Sequence, residues 1–221
     1  HLLRGEMLRQ GDSLSKVTET LCARLGIAPT LVPMTDARVA TIVHTREGEP
    51  LAFQHYFVRD RCAPVVTGFE FQGIEQAAPS PYFLAGLQEP TLEAIIICPS
   101  NPFVSVDPVL AVPGVIAAMT ASRAPVIAVS PIVGGQAIKG PAAKMMAELG
   151  MPQSALAVAQ YYQGRIDGFV IDEADSALKK DIEALGIPTI VTRTVMVTLG
   201  DKSELAARVL KFAQQLSTAM N

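Results

Sequence analysis

The sequence predicts an α/β protein with a Rossmann-like, doubly wound, mainly parallel sheet and a small β-rich subdomain. Three observations lead to this fold class. After residue 93, short and continuous apolar runs alternate with helical patterns, as in right-handed βαβ units. The preceding part of the chain instead has short β-rich runs between turn signals. The length of 221 residues suits one core with a small subdomain.

Residues 1–92 are predicted to form a helical start and an antiparallel β-rich subdomain. Apolar residues recur at helical spacing over residues 13–25, where Ser13 suits the N-cap and Gly26 the C-terminal stop. Four strands are predicted, and residues 46–49 between two of them carry a hairpin turn signal. The predicted strands cover residues 30–34, 39–45, 51–58 and 65–71.

Residues 93–221 are predicted to form the Rossmann-like core. Its strands are short and continuously apolar, so we expect parallel strands covered on both faces. They cover residues 94–98, 126–129, 168–171 and 189–192. Helices are predicted near residues 108–122, 140–149, 154–162, 175–185 and 202–218, and Gly150 and Gly186 each follow a helix as its stop. Ligands of such sheets bind beyond the carboxyl ends of the strands.

Composition and charge exclude several classes of protein. The net charge is −3, and Lys and Arg do not cluster, so broad nucleic-acid binding is disfavoured. We identify no apolar stretch suited to a membrane span. The three cysteines, Cys22, Cys62 and Cys98, form no Cys-x-x-Cys pair. We therefore expect free core thiols in a cytoplasmic protein, with Cys98 at the end of a buried strand.

The loop after the first core strand carries polar groups at the start of a helix. Ser100, Asn101 and Ser105 lie in this proline-restrained segment. Hydroxyls and free N–H groups at a helix N-terminus suit a phosphate. The same residues also suit simple helix capping, and the spacing does not decide between the two interpretations.

The loop after the second core strand is the most informative segment. It contains Ser130, the pair Gly134 and Gly135, and then Lys139 and Gly140. Adjacent glycines let the backbone approach a ligand closely, and the lysine supplies a cation. The segment matches neither a Walker A loop nor the Rossmann glycine pattern. It predicts an anion or phosphate site, with an ordinary strand-to-helix turn as the alternative.

Charged residues follow the last two core strands. Asp172, Glu173 and Asp175 suit either a Mg²⁺ site or a general base, although capping of the following helix is the favoured interpretation. Arg193 follows the last strand and suits either a phosphate contact or a solvated position. Together, the loops predict a phosphorylated small molecule bound at the strand ends.

Several longer segments resemble one family. Residues 100–106 read Ser-Asn-Pro-Phe-Val-Ser-Val, and residues 129–135 read Val-Ser-Pro-Ile-Val-Gly-Gly. Residues 137–146 read Ala-Ile-Lys-Gly-Pro-Ala-Ala-Lys-Met-Met, and residues 167–172 read Asp-Gly-Phe-Val-Ile-Asp. These segments are similar to those of the 2-phospho-L-lactate transferase family of coenzyme F(420) biosynthesis. The resemblance spans almost the whole chain.

The resemblance implies an enzyme that moves a phospholactyl group, or a related phosphoenolpyruvyl or phosphoglyceryl group. The donor would be the guanosine diphosphate-linked lactyl-2-diphospho-5′-guanosine, the acceptor the deazaflavin Fo, and the leaving group GMP. Mg²⁺ would be the cofactor, and a cytoplasmic homodimer would be usual. The implied substrate-binding residues are Ser100, Asn101, Phe103, Ser105, Ser130, Val133, Gly134, Gly135, Lys139 and Gly140.

The resemblance leaves the catalytic residues and the metal ligands unassigned. Family members carry a further N-terminal part with a glycine-rich loop and acidic metal ligands, so we expect this sequence to be the C-terminal piece of a longer chain. The alternative function is that of a related, non-enzymatic group that binds UDP-sugars and acts in regulation. Its matching loop reads Gly-Pro-Gly-Ser, whereas residues 98–101 here read Cys-Pro-Ser-Asn, which favours the transferase.

Overall fold

The computed structural model describes residues 2–220. Its strands are β1 (Ala40–Thr45), β2 (Leu51–Ala52), β3 (Val66–Gln72), β4 (Ile95–Ile97), β5 (Val126–Val129), β6 (Ile132–Val133), β7 (Gln136–Ala137), β8 (Gly168–Ile171) and β9 (Thr189–Val191). Its α-helices are α1 (Leu2–Arg9), α2 (Leu14–Arg24), α3 (Pro81–Leu87), α4 (Asp107–Leu110), α5 (Val115–Ala121), α6 (Ala142–Glu148), α7 (Ala155–Tyr162), α8 (Lys179–Glu183) and α9 (Leu199–Met220). Short π-helical turns cover His55–Arg59 and Pro102–Val106, and 3-10 turns cover Ile74–Gln76 and Glu173–Leu178.

A parallel sheet in the order β4-β5-β8-β9 forms the centre of the fold. Every residue of β5 and β8 is buried, because helices cover both faces. On one face, Ile127, Val129 and Val170 pack against Leu205 and Phe212 of α9. The larger apolar core covers the other face and includes residues of α5, α6 and α7. The predicted α/β class with a mainly parallel sheet is confirmed.

Strand β4 differs from the expectation that every core strand is covered on both faces. Ile96 is 37% exposed, and Cys98, which was predicted to be a buried core thiol, is exposed. Within residues 2–220, β4 pairs with a strand on one side only. An edge position of this kind leaves side chains accessible even where the sequence is continuously apolar. Cys22 and Cys62 are partly buried free thiols.

The β-rich subdomain is an antiparallel sheet in the order β2-β1-β3. The predicted strands at 39–45 and 65–71 and the hairpin after β1 are confirmed. The strand predicted over residues 51–58 is wrong beyond Ala52, since the chain enters a π-helical turn there. Tyr56 in this turn is completely buried. The ring of Phe57 stacks on that of Phe53, just before the turn, with 5.5 Å between the ring centroids, a contact that helical i, i+4 spacing allows.

The strand predicted over residues 30–34 is also wrong. This segment is irregular, and Pro29 and Pro33 remove N–H groups that a strand would need. Hydrogen bonds from Ser80 hold the segment in place instead. The Ser80 hydroxyl donates to the Pro33 carbonyl oxygen at 2.6 Å, and the Ser80 N–H donates to the Met34 carbonyl oxygen at 2.9 Å.

The predicted helix over residues 13–25 is confirmed. The Ser13 hydroxyl caps α2 by accepting from the Lys16 N–H at 3.2 Å, and Gly26 stops the helix at a φ of +65°. Gly150 and Gly186 also have positive φ after α6 and α8, as predicted.

Two helix predictions fail in their details. The helix predicted over residues 108–122 is broken into α4 and α5, because Pro113 and Gly114 (φ +91°) interrupt it. The helix predicted over 175–185 begins as the 3-10 turn Glu173–Leu178 and becomes α8 only at Lys179.

A polar junction joins the β-rich subdomain to the core at α6. Lys144 and Glu148 form an ion pair on this helix. Lys144 Nζ also donates to the Pro64 carbonyl oxygen at 3.0 Å, and Glu148 Oε2 accepts from the Val66 N–H at 3.0 Å. The division into domains at residues 92/93 stays a prediction.

No single helix within residues 2–220 combines the length and the apolar character that a membrane span needs. One sharply bent pair, Pro102–Leu110 with Val115–Ala121, meets the requirement on length and composition alone.

The packing of α9 on β8 depends on the small size of Gly168. A Cβ atom at this position would lie 2.7 Å from Leu216 Cδ1 and 2.7 Å from Phe212 Cε1. We expect Gly168→Ala to lower the free energy of unfolding by about 1–3 kcal/mol, because both side chains must move. Urea unfolding measures this loss.

Gly68 is the matched control, since it also lies in a strand (β3) but a Cβ there would meet nothing within 4 Å. Gly68→Ala should leave stability unchanged or raise it slightly. Equal losses for the two variants would contradict the packing argument.

Candidate functional site

The carboxyl ends of the four parallel strands bring four loops to one edge of the sheet, as predicted. These loops follow β4, β5, β8 and β9, and they carry all the residues that the sequence singles out for chemistry. In sheet order they cover residues 98–106, 130–141, 172–178 and 192–198.

The loop after β5 is a β-hairpin, which neither interpretation of the sequence anticipated. Strands β6 and β7 pair antiparallel, with Val133 opposite Gln136. Gly134 (φ +56°) and Gly135 (φ +79°) form the two-residue connection. Positive φ at both central residues is the pattern of a type I′ turn, which favours glycine. The turn itself therefore favours the glycine pair, whether or not a ligand binds.

Asp175 connects this hairpin to the loop after β8. Its side chain is buried, with 6% exposure, and Oδ2 accepts from the Gly134 N–H at 3.1 Å. This hydrogen bond spans 41 positions of sequence. The Gly134 N–H group is consequently committed within the protein.

Asp172 connects the same loop to the loop after β9. Its carboxylate is buried, with 7% exposure. Oδ2 accepts from the Thr194 N–H at 2.7 Å and from the Thr194 hydroxyl at 3.0 Å. Oδ1 accepts from the Ala174 N–H at 3.1 Å and so caps the 3-10 turn. The capping role favoured by the sequence holds for Asp172, with a second function as a link between loops.

The pKa of Asp172 reflects two opposing effects. Burial favours the neutral acid and raises the pKa, while the hydrogen bonds from Thr194 and Ala174 stabilise the carboxylate and lower it. The hydrogen bonds prevail, so the pKa lies below the usual value for aspartate. Asp172 is therefore an ionised structural group at neutral pH.

Asn101 acts as the N-cap of the turn after β4. Its Oδ1 accepts from the Phe103 N–H at 3.0 Å, and its Nδ2 lies 3.1 Å from Met145 Sδ. Both ends of the carboxamide thus have partners inside the protein. These contacts are those of a helix cap, which was the alternative to a phosphate contact.

The remaining predicted residues divide by exposure. Phe103 is 3% exposed, and its ring stacks on that of Phe69 with 5.8 Å between the ring centroids. Ser130 is 1% exposed, and its hydroxyl donates to the Ile132 carbonyl oxygen at 2.8 Å. The residues that remain accessible in part or in full are Ser100, Ser105, Val133, Gly134, Gly135, Lys139 and Gly140.

The accessible part of the edge combines cations and apolar side chains. Lys139 and Arg193 are exposed, and they suit a negatively charged ligand. Ile138 is 51% exposed, Val197 82% and Leu199 78%. Exposed apolar groups and cations at the same edge of the sheet fit a ligand with an anionic part and an apolar part. Cavities of about 270 and 330 Å³ lie elsewhere, the first at the opposite edge of the sheet beside Val126 and Asp167.

Among residues 2–220, no group of three or more His, Cys, Asp or Glu side chains is placed to hold a metal ion. The buried oxygens of Asp172 accept hydrogen bonds instead, as does Asp175 Oδ2.

Two features of this edge were missed by the sequence analysis. The hairpin had a signal, because two glycines between short β-compatible pairs are typical of a two-residue turn. Thr194 had none, since its contact with Asp172 joins residues 22 positions apart.

The sequence is similar to known proteins over most of its length. Residues 1–192 match the family described as 2-phospho-L-lactate transferase CofD. A phosphoenolpyruvate transferase of Streptomyces griseus is 36% identical over 98% of this chain and 69% of its own length. A 2-phospho-L-lactate transferase of Methanosarcina mazei is 36% identical over 96% of this chain and 68% of its own length.

A similar fold occurs in a protein from Bacillus halodurans, which is described as a member of the UPF0052 family. One crystal structure of this protein has a TM-score of 0.64 at 16% identity and covers 95% of the present chain and 70% of its own. At this level of identity, the likeness concerns the fold alone.

The link between Asp172 and Thr194 predicts a pH-dependent stability. At pH 7, Asp172→Asn should lower the free energy of unfolding by about 1.5–3 kcal/mol, because hydrogen bonds to a charged group are lost. The pKa of the folded state lies below that of the unfolded chain. The stabilisation is therefore complete above about pH 4 and is lost as the pH falls through the folded value.

Urea unfolding from pH 7 to pH 2.5 measures the difference between the wild type and the variant, which should shrink below about pH 4. Thr194→Val is the partner variant, and the two losses should be less than additive when combined. A difference that is constant with pH would contradict an ionised Asp172.

Proposed function

This chain belongs to the 2-phospho-L-lactate transferase family, and we propose that it transfers a phosphorylated acid group to the deazaflavin Fo in coenzyme F(420) biosynthesis. The donor is a guanosine diphosphate-linked acid such as lactyl-2-diphospho-5′-guanosine, and GMP is released. The family match over residues 1–192 carries this proposal. Relatives named for phospholactate and for phosphoenolpyruvate are equally similar at 36% identity, so the acid is left as phospholactate, phosphoenolpyruvate or phosphoglycerate.

The proposed reaction exchanges one phosphorus–oxygen bond for another. A ribityl hydroxyl oxygen of Fo attacks the phosphorus that carries the acid, and the hydroxyl proton is released to the solvent. The bond between this phosphorus and the oxygen that bridges to GMP breaks, and GMP leaves with that oxygen. Such transfers depend on in-line positioning and on stabilisation of charge.

The accessible residues of the sheet edge support the charge and positioning requirements. Lys139 and Arg193 are exposed cations that suit the diphosphate. Ser100 and Ser105 carry hydroxyls at the neighbouring loop that suit phosphate or ribose oxygens. The exposed side chains of Ile138 and Val197 suit the flat deazaflavin ring.

Mg²⁺ belongs to this proposal as a neutralising ion on the diphosphate of the donor. Residues 2–220 do not assemble a cluster for it, so the proposal assigns it no protein ligand and no reaction step. A homodimer is a further part of the proposal, and its mass in solution is measurable by light scattering.

Thermal stabilisation and transfer assays test this function in the longest natural form of the protein. A ligand at 100 times its Kd should add about 2.7 kcal/mol of stability. We expect stabilisation by Fo with GDP and Mg²⁺, and GMP release with at least one of the three donors. Stabilisation by UDP-N-acetylglucosamine alone, without transfer, would assign the protein to the regulatory alternative.

Lys139 provides the sharpest single-residue test of donor binding. Lys139→Ala should raise the donor KM about ten- to hundredfold, since a bond from a cation to phosphate is worth about 1.5–3 kcal/mol. The KM for Fo should change little. Lys211, also exposed but on α9, is the matched control, and Lys211→Ala should leave both constants unchanged. An unchanged donor KM in the Lys139 variant would place the diphosphate elsewhere.

A further inference from the structure

The 3-10 turn after β8 carries two buried carboxylates, Asp172 at its N-cap and Asp175 within it. Each accepts hydrogen bonds from a different neighbouring loop. Asp172 accepts from Thr194 in the loop after β9. Asp175 accepts from Gly134 in the hairpin after β5. Because β8 lies between β5 and β9 in the sheet, this one turn connects the loops of both neighbouring strands.

The hairpin needs such an attachment because it is very small. Each of its strands has two residues, and isolated two-stranded ribbons are at best marginally stable in water. Gly134 and Gly135 add conformational freedom at its tip. The Asp175 bond acts at the first residue of that tip.

A direct contact between Asp175 and an anionic substrate would be repulsive. A binding role for this residue is therefore indirect, through the backbone of the hairpin. Asp175 is buried, and its Oδ2 accepts a hydrogen bond from the Gly134 N–H. The bond also fixes the start of the segment that leads through Ile138 to Lys139, both of which are exposed.

We propose that Asp175 is a positioning residue that holds the β6–β7 hairpin in the conformation that binds the donor. This role rests on the proposed function and adds a residue that contacts no substrate. Asp172 performs the equivalent task for the loop that carries Arg193, through Thr194.

The test compares Asp175→Ala with Asp175→Asn in the longest natural form of the protein. The Ala variant loses the acceptor for the Gly134 N–H, and we expect the donor KM to rise about tenfold or more while kcat changes less than threefold. The Asn variant keeps a side-chain oxygen that accepts this bond, and it should restore the donor KM to within about threefold of the wild type.

Asp167 offers a matched control at the opposite edge of the sheet. Its Oδ2 also accepts from a backbone N–H, that of Val126, at 2.8 Å. Asp167→Ala should lower stability in urea without changing the donor KM. A general loss of stability would therefore affect both Ala variants, whereas a positioning role affects only the Asp175 variant.

Hydrogen exchange of the free protein separates this role from the proposed function. In Asp175→Ala, the amides of residues 134–137 should exchange faster, and those of β5 and β8 should keep wild-type rates. An unchanged donor KM in an active Asp175→Ala protein would overturn the positioning role and leave the proposed function standing. A wild-type protein without transfer would refute the proposed function, and unchanged exchange at residues 134–137 would refute the attachment itself.

Discussion

The carboxylate of Asp172 imposes the strongest constraint on the candidate site. A buried charge is costly unless hydrogen bonds compensate it, and Asp172 is only 7% exposed. The donors come from Ala174, in the same turn, and from Thr194, in the next loop. The path of the chain after β9 is therefore tied to the end of β8. Asp175 extends the same principle to the hairpin after β5.

This constraint changes how the polar residues of the edge are interpreted. A group that already has a partner inside the protein is a weak candidate for a ligand contact, because binding must first break that bond. Asn101 and Ser130 and the Gly134 N–H group are committed in this way. Lys139 and Arg193 are exposed instead. The polar residues of this edge thus form two groups, one that stabilises the loops and one that faces the solvent.

The sequence predicts the central strands best and the local irregularities least. Strands β5 and β8 match their predicted bounds, because continuous apolar runs have few alternatives when both faces are covered. The prediction fails at residues 30–34 and 53–58, where prolines and the stacking of Phe53 on Phe57 outweigh the β-compatible composition. For the site, the strand order explains why four loops meet at one edge. The bond from Gly134 to Asp175 spans 41 positions, so no local pattern could have predicted it.

The glycine pair illustrates the limit of motif-based inference about ligands. Two adjacent glycines suit a close approach of a ligand, but here both have positive φ in a tight hairpin, which favours glycine on its own account. The function of the hairpin therefore depends less on the glycines than on the residues around them. The hairpin leads to Lys139, which is exposed beyond β7, and Asp175 fixes the other end of the turn. In a reaction that depends on alignment more than on covalent catalysis, a buried side chain that sets this geometry contributes to function without touching the substrate.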